Sequence, residues 1–202
     1  MIRNYVMAMA FLGAMFGQVV SARAAEEIVA KVGEAAPAFS VADQNGKVHS
    51  LADYKGKVVV LEWTNPDCPF VVRHYREGTM KSLANNYRDQ SVVWLAVNTT
   101  KTNTAEKSRR WTAEKELPYP TLIDADGKLG KVYGAKTTPH MFVIGKDGKL
   151  VYTGAVDDDP NGEKAKQERE QYLVNAITAA LAGEAPARKV TKPYGCSVKY
   201  PE

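Results

Sequence analysis

Two β-branched apolar runs set the frame of this chain. "VVVL", Val58 to Leu61, follows a turn at Lys55-Gly56, and "SVVWLAVNT", Ser91 to Thr99, repeats the pattern after one helix-length stretch. Apolar runs of this kind, without alternation, belong to strands covered on both faces. The stretch between them carries Phe70, Val71, Tyr75, Met80, Leu83 and Tyr87 at rough helical spacing, with a bend expected near Gly78. Pro69 suits a first helical position, where its missing N–H costs nothing. A strand–helix–strand unit implies a parallel core, because a parallel partner needs a crossover.

The rest of the chain extends that core. "FSVADQNGKVHSL" reads as a hairpin about Asn45-Gly46, and "TPHMFVIGKDGKLVYTGAV" as a second about Lys146-Asp147-Gly148. "TAEKSRRWTAEKEL" is an amphipathic helix with Thr104 as N-cap, "PTLID" a short extended piece and "KLGKVYGA" a short helix or turn. A last helix is expected from about Gly162 to Leu181, stopped by Gly183. These elements predict an α/β fold: a central mixed β-sheet flanked by helices, with an N-terminal β-hairpin and a C-terminal tail.

The 202 residues fall into three parts. Residues 1–24 have the make-up of a secretory signal peptide: Arg3, an apolar run from Val6 to Val20, and an Ala22-x-Ala24 site. That run is 15 residues long and holds Gln18, whereas a membrane span needs about 20. The folded domain is expected over 25–185, and a tail carrying Cys196 over 186–202. No membrane span is expected in the mature chain, which is read as periplasmic or secreted. Loss of Arg3 and Arg23 takes the net charge from +4 to +2. A nearly neutral chain without a basic aromatic cluster gives no footing to a nucleic-acid partner.

An exported chain can hold disulfides. Both cysteines, Cys68 and Cys196, lie in the mature part. Cys68 falls where the first buried strand gives way to a helix, in "NPDCPF". Free N–H groups and the helix dipole stabilise a thiolate there and lower its pKa, which nucleophilic thiol chemistry requires.

On these residues the chain resembles the thioredoxin-like superfamily over about residues 33–183. It is most similar to exported redoxins of the alkyl hydroperoxide reductase and thiol-specific antioxidant type. The strand "VVVLEW" leads to a cysteine followed by proline. Glu62 stands six residues before Cys68, where thioredoxins carry a buried acid. "TTPHMFVIGKDGKLVYTGAV" looks like the family's proline-bearing strand and hairpin, and the order of elements matches. The resemblance implies a cis Pro139 facing Cys68, with the Thr138 backbone open to pair an extended substrate. It also implies a protein thiol or disulfide as substrate, an external reductant and no cofactor.

The departures carry information. The second thioredoxin cysteine is replaced by Val71. The positions of the peroxidatic Thr and Pro hold Asn65 and Leu61, and Pro139 stands where the peroxidase arginine aligns. The leading expectation is an exported thiol-disulfide oxidoreductase in which Cys68 attacks, Glu62 handles a proton and Cys196 is the candidate resolving thiol, an intermolecular disulfide or a free thiol being the alternatives for it. Trp63, Pro69, Thr138 and Pro139 would border the substrate. The 13 residues from Gly183 to Cys196 reach about 40 Å when extended, so Cys196 is within range of Cys68. The alternatives are a thiol peroxidase, and a non-enzymatic binding or copper-handling module using Cys68, His140 and Cys196.

The remaining candidates have plainer readings. His74 is expected to be a surface or half-buried histidine, and His140 to point away from the sulfur by strand alternation. Trp94 and Trp111 read as core or half-core residues. "DDDPNGEKAKQE", Asp157 to Glu168, matches a calcium-loop pattern, but a strand precedes it and Pro160 and Lys164 do not fit. It reads instead as an acidic loop capping the last helix.

Overall fold

The structure, a computed structural model, describes residues 29–201. The expected signal peptide lies outside the described residues. A hairpin of β1 (Ser40–Ala42) and β2 (Val48–Ser50) opens the fold, and a 3-10 turn over Leu51–Tyr54 leads to β3 (Val58–Trp63). Then come α1 (Pro69–Arg76), α2 (Thr79–Tyr87), β4 (Val92–Asn98), α3 (Ala105–Glu114), β5 (Thr121–Ile123) and α4 (Lys128–Tyr133). The chain continues through β6 (Thr137–Thr138), β7 (His140–Ile144), β8 (Leu150–Gly154), α5 (Tyr172–Ala182) and β9 (Cys196–Ser197).

The central sheet runs β5-β4-β3-β7-β8. β3 pairs in parallel with β4, and β4 with β5, while β7 and β8 add antiparallel partners. This is the mixed sheet that the apolar runs demand. Alternation along β3 divides its side chains between two cores. Val58 and Val60 pack with Met80, Trp94, Leu173 and Ile177 on one face, and Val59, Leu61 and Trp63 with Leu122, Tyr133 and Phe142 on the other. The bend expected near Gly78 is a full break between α1 and α2, with Gly78 in the left-handed region at φ +70°. Thr104 caps α3, its side chain accepting from the Lys107 N–H at 3.2 Å.

The last helix begins later than its charge pattern implies. Residues 162–171 form a loop with a 3-10 turn at Lys166–Glu168, and α5 starts at Tyr172. Buried ions take this stretch out of the helix. Asp159 accepts the N–H groups of Glu163 at 2.9 Å and Lys164 at 3.2 Å. Arg169 is drawn inward to Asp159 at 2.9 Å, Glu77 at 2.6 Å and Asp157 at 3.7 Å. Asp157 and Asp159 of the calcium-like pattern are thus occupied by a guanidinium. Residues 186–201 are anchored against the fold: Thr191 accepts from Ala155 N–H at 2.9 Å, and Tyr200 donates to the Ala135 carbonyl at 2.8 Å.

Removal of one member of a buried ion cluster leaves charges without compensation. Arg169→Ala is expected to cost about 3–5 kcal/mol in urea unfolding, far beyond an exposed arginine. A loss below 1 kcal/mol would show the three carboxylates to be hydrated.

Candidate active site

The site forms where β3 ends. The Asn65 side chain accepts from the Asp67 N–H at 3.0 Å, and its carbonyl accepts from the Cys68 N–H at 3.0 Å. This tight turn makes Cys68 the N-cap of α1, with Pro69 at the first helical position. Asn65, which the sequence shows only as a missing peroxidatic threonine, therefore sets the orientation of Cys68. The Thr138–Pro139 bond is cis, as the resemblance implies. The Cys68 thiol donates to the Thr138 carbonyl at 2.9 Å.

The Thr138 backbone is not open to a substrate. The chain's own tail lies there, β9 pairing antiparallel with β6 so that Cys196 is opposite Thr138. The approach is close. A Cβ on Gly195 would fall 2.0 Å from the Thr138 carbonyl oxygen, and Gly195 sits at φ +134°. Only glycine admits this contact. Cys68 and Cys196 are thereby brought together, both as free thiols, within reach of hydrogen bonding to each other.

Their environments differ. Burial alone pushes the Cys68 thiol up, but the Cys196 thiol, the Thr138 side chain and the Val71 and Cys196 N–H groups outweigh it. The net result is a pKa below the usual thiol range. Burial and the neighbouring Cys68 push Cys196 up to about 11. Cys68 is 1% exposed, whereas Cys196 is half-buried.

Tyr194 holds the tail in place, and the sequence did not single it out. Its hydroxyl donates to Asp157 at 2.5 Å and accepts from His74 Nε2 at 3.0 Å. Its ring stacks on His74 at 6.1 Å and tilts against Phe70. His74 is consequently fully buried rather than half-exposed, and burial lowers its pKa to about 4. The visible signal was "KPYGC", a large aromatic directly before a glycine and a cysteine in a segment that would otherwise pass for a loose tail.

Glu62 is fully buried on the α1 face of β3. It accepts from Tyr75 OH at 2.8 Å and Trp94 Nε1 at 2.9 Å, and Tyr119 donates on to Tyr75 at 3.3 Å. Burial raises its carboxyl to about 7 despite these bonds. Its hydrogen bonds go to Tyr75 and Trp94 and not to either sulfur. Trp63, expected to border the substrate, is turned into the core. It is fully buried on the opposite face, donating to Thr99 at 3.0 Å and packing on Tyr133 and Phe142. Pro69 is exposed beside the sulfur, and Pro139 is buried. His140 points away as alternation requires. Its Nδ1 accepts from the Lys136 N–H and its Nε2 meets Thr153, which leaves neither nitrogen for a metal shared with the cysteines.

A helix-capping thiol beside a cis-proline strand, on a sheet of this topology, defines a thioredoxin-like oxidoreductase of the redoxin type. The AhpC/TSA family model matches residues 32–153, and the chain belongs to that family. It is 32% identical over 143 residues to the thiol-disulfide oxidoreductase ResA of Bacillus thuringiensis subsp. konkukian, covering 71% of this chain and 77% of that one. The thioredoxin-like protein YneN of Bacillus subtilis is 31% identical over 153 residues, with 73% and 82% covered. A solved structure of an uncharacterized conserved protein from Geobacillus kaustophilus superimposes with a TM-score of 0.75 at 29% identity, covering 85% and 93%.

Two predictions follow from the geometry. Gly195→Ala should cost about 1–3 kcal/mol of tail seating. It should speed maleimide labelling of Cys68 and tryptic cleavage at Lys199, and unchanged rates for both would contradict the close contact. For Glu62, a folded pKa raised from 4.5 to about 7 gives stability that is full below 4.5 and lost as pH rises through about 7. Glu62→Gln should therefore gain on the wild type by about 3 kcal/mol across that window. The buried histidines are common to both proteins and cancel in the difference. A pH-independent difference would show that Glu62 ionises normally.

Proposed function

We propose that the chain is an exported thiol-disulfide oxidoreductase that cycles between a Cys68/Cys196 dithiol and a Cys68–Cys196 disulfide. The observation that carries this reading is the pairing of Cys196 with Thr138, which brings a second thiol to a cysteine of lowered pKa at a helix N-terminus. The relatives named as thiol-disulfide oxidoreductases support the activity. The Arg3, Val6–Val20 and Ala22-x-Ala24 pattern supports export.

In the cycle, the Cys68 thiolate closes the bond to Cys196 when a partner disulfide is reduced, and receives the electron pair when that bond opens. The Val71 and Cys196 N–H groups stabilise the charge on Cys68 in both directions. Glu62, with its carboxyl raised to about 7, is the buried group assigned to take up and return a proton. The partners are a protein carrying a thiol pair or disulfide and an external reductant that resets the cycle. Pro139 and Thr138 frame the sulfur pair.

The test is turnover of insulin disulfides with dithiothreitol, and of hydrogen peroxide, by wild type, Cys68→Ser and Cys196→Ser. Catalytic insulin reduction should be lost in both Cys68→Ser and Cys196→Ser, because each lacks one of the two sulfurs of the cycle. Equal insulin activity in wild type and Cys68→Ser would remove Cys68 from the chemistry. Peroxide consumption faster than insulin reduction would move the chain to the peroxidases.

A further inference from the structure

The two sulfurs are not equally placed to meet a partner. Cys68 lies beneath the tail, 1% exposed, with its thiol turned to the Thr138 carbonyl. Cys196 is half-buried on a two-residue strand whose next residue, Ser197, is exposed. The tail is fixed on both sides of that strand. Before it, Thr191 is bonded to Ala155 N–H and Tyr152 OH, and Tyr194 to Asp157 and His74. After it, the Val198 N–H donates to the Lys136 carbonyl at 3.0 Å and the Tyr200 hydroxyl to the Ala135 carbonyl at 2.8 Å. A partner reaching Cys68 must break one of these sets. A partner reaching Cys196 breaks neither.

Resting on the proposed Cys68–Cys196 cycle, we infer that the exchange sulfur is Cys196 rather than Cys68. The partner's mixed disulfide forms on the tail, and Cys68 is the internal leaving group that never bonds to the partner. This inverts the order in which the helix-capping cysteine meets the substrate.

The steps balance as follows. In the oxidised protein, the thiolate of a partner dithiol attacks Cys196 Sγ. The Cys68–Cys196 bond breaks, and its electron pair goes to Cys68 Sγ, where the Val71 N–H at the helix N-terminus receives the charge. A partner–Cys196 disulfide now exists. The partner's second thiolate attacks its own sulfur in that bond and releases Cys196, and the partner leaves as a disulfide. The two protons lost by the partner end on Cys68 and Cys196. Reduction of a target disulfide runs through the same intermediate in reverse. The better leaving thiol is the one of lower pKa, so the direction of cleavage agrees with the environments of the two groups.

The test uses reduced glutathione, a monothiol that cannot complete the second step. Oxidised wild-type protein is mixed with it, quenched in acid, alkylated and mapped by mass spectrometry. Glutathione should be found on Cys196, with Cys68 alkylated as a free thiol. Glutathione on Cys68 overturns the inference while leaving the Cys68–Cys196 pair intact. If the oxidised protein contains no Cys68–Cys196 bond before glutathione is added, the underlying cycle itself fails. A second measurement covers an adduct too short-lived to trap. Cys68→Ser and Cys196→Ser, both checked for folding by circular dichroism, are incubated with glutathione disulfide. With each rate divided by that thiol's thiolate fraction, read from the pH dependence of its alkylation, Cys196 in the first variant should be modified faster than Cys68 in the second. Equal or reversed rates overturn the inference.

Discussion

The site depends on one short pairing, that of β9 with β6 beside the cis Thr138–Pro139 bond. In a thioredoxin-like fold this backbone edge is where an extended segment can be added beside the reactive sulfur. Here the chain adds its own. The pairing buries Cys68, delivers Cys196 and places a further N–H on the Cys68 sulfur. Two residues of strand would be a weak hold in isolation. They persist because the flanking anchors at Thr191, Tyr194, Val198 and Tyr200 fix the path of the chain before and after them.

Buried polar groups recur on the side of the sheet that carries α1. Glu62 is held by Tyr75 and Trp94, and His74 by Tyr194, while Arg169 gathers Glu77, Asp157 and Asp159. Each lies beneath or beside the helix that Cys68 caps. Burial of ionisable groups costs stability unless hydrogen bonds and opposite charges compensate. α1 thus rests on groups whose protonation or pairing fixes its position, and Tyr194 connects that support to the tail through Asp157.

Much of this was legible in residue order. The apolar runs at Val58 and Ser91, the turns at Asn45-Gly46 and Lys146–Gly148, the Thr104 cap and the Gly183 stop are local signals, and the structure follows them. The cysteine at the helix start and the cis Pro139 came from motif and resemblance together. What was not legible depended on distant partners. The lysine- and glutamate-rich stretch after Gly162 has helical composition, yet Arg169 and Asp159 pull it into a loop. Trp63 looked like a neighbour of the sulfur, but strand alternation turns it into the opposite core. His74 reads as a surface or half-buried residue because the one that covers it, Tyr194, lies 120 positions along the chain.

The distance in sequence between the two sulfurs has a mechanical consequence. In a Cys-x-x-Cys site the bond spans one helical turn and leaves the remainder of the chain unconstrained. A bond between Cys68 and Cys196 would tie the start of α1 to β9 and enclose α1 to α5 in one covalent ring. Closing a ring of that size removes on the order of 5 kcal/mol of freedom from the unfolded chain. By linkage, the folded domain favours the closed ring by as much as the ring favours the fold. Under the proposed cycle, the oxidation state of the sulfur pair would therefore be coupled to the stability of the whole domain, the oxidised form being the harder to unfold.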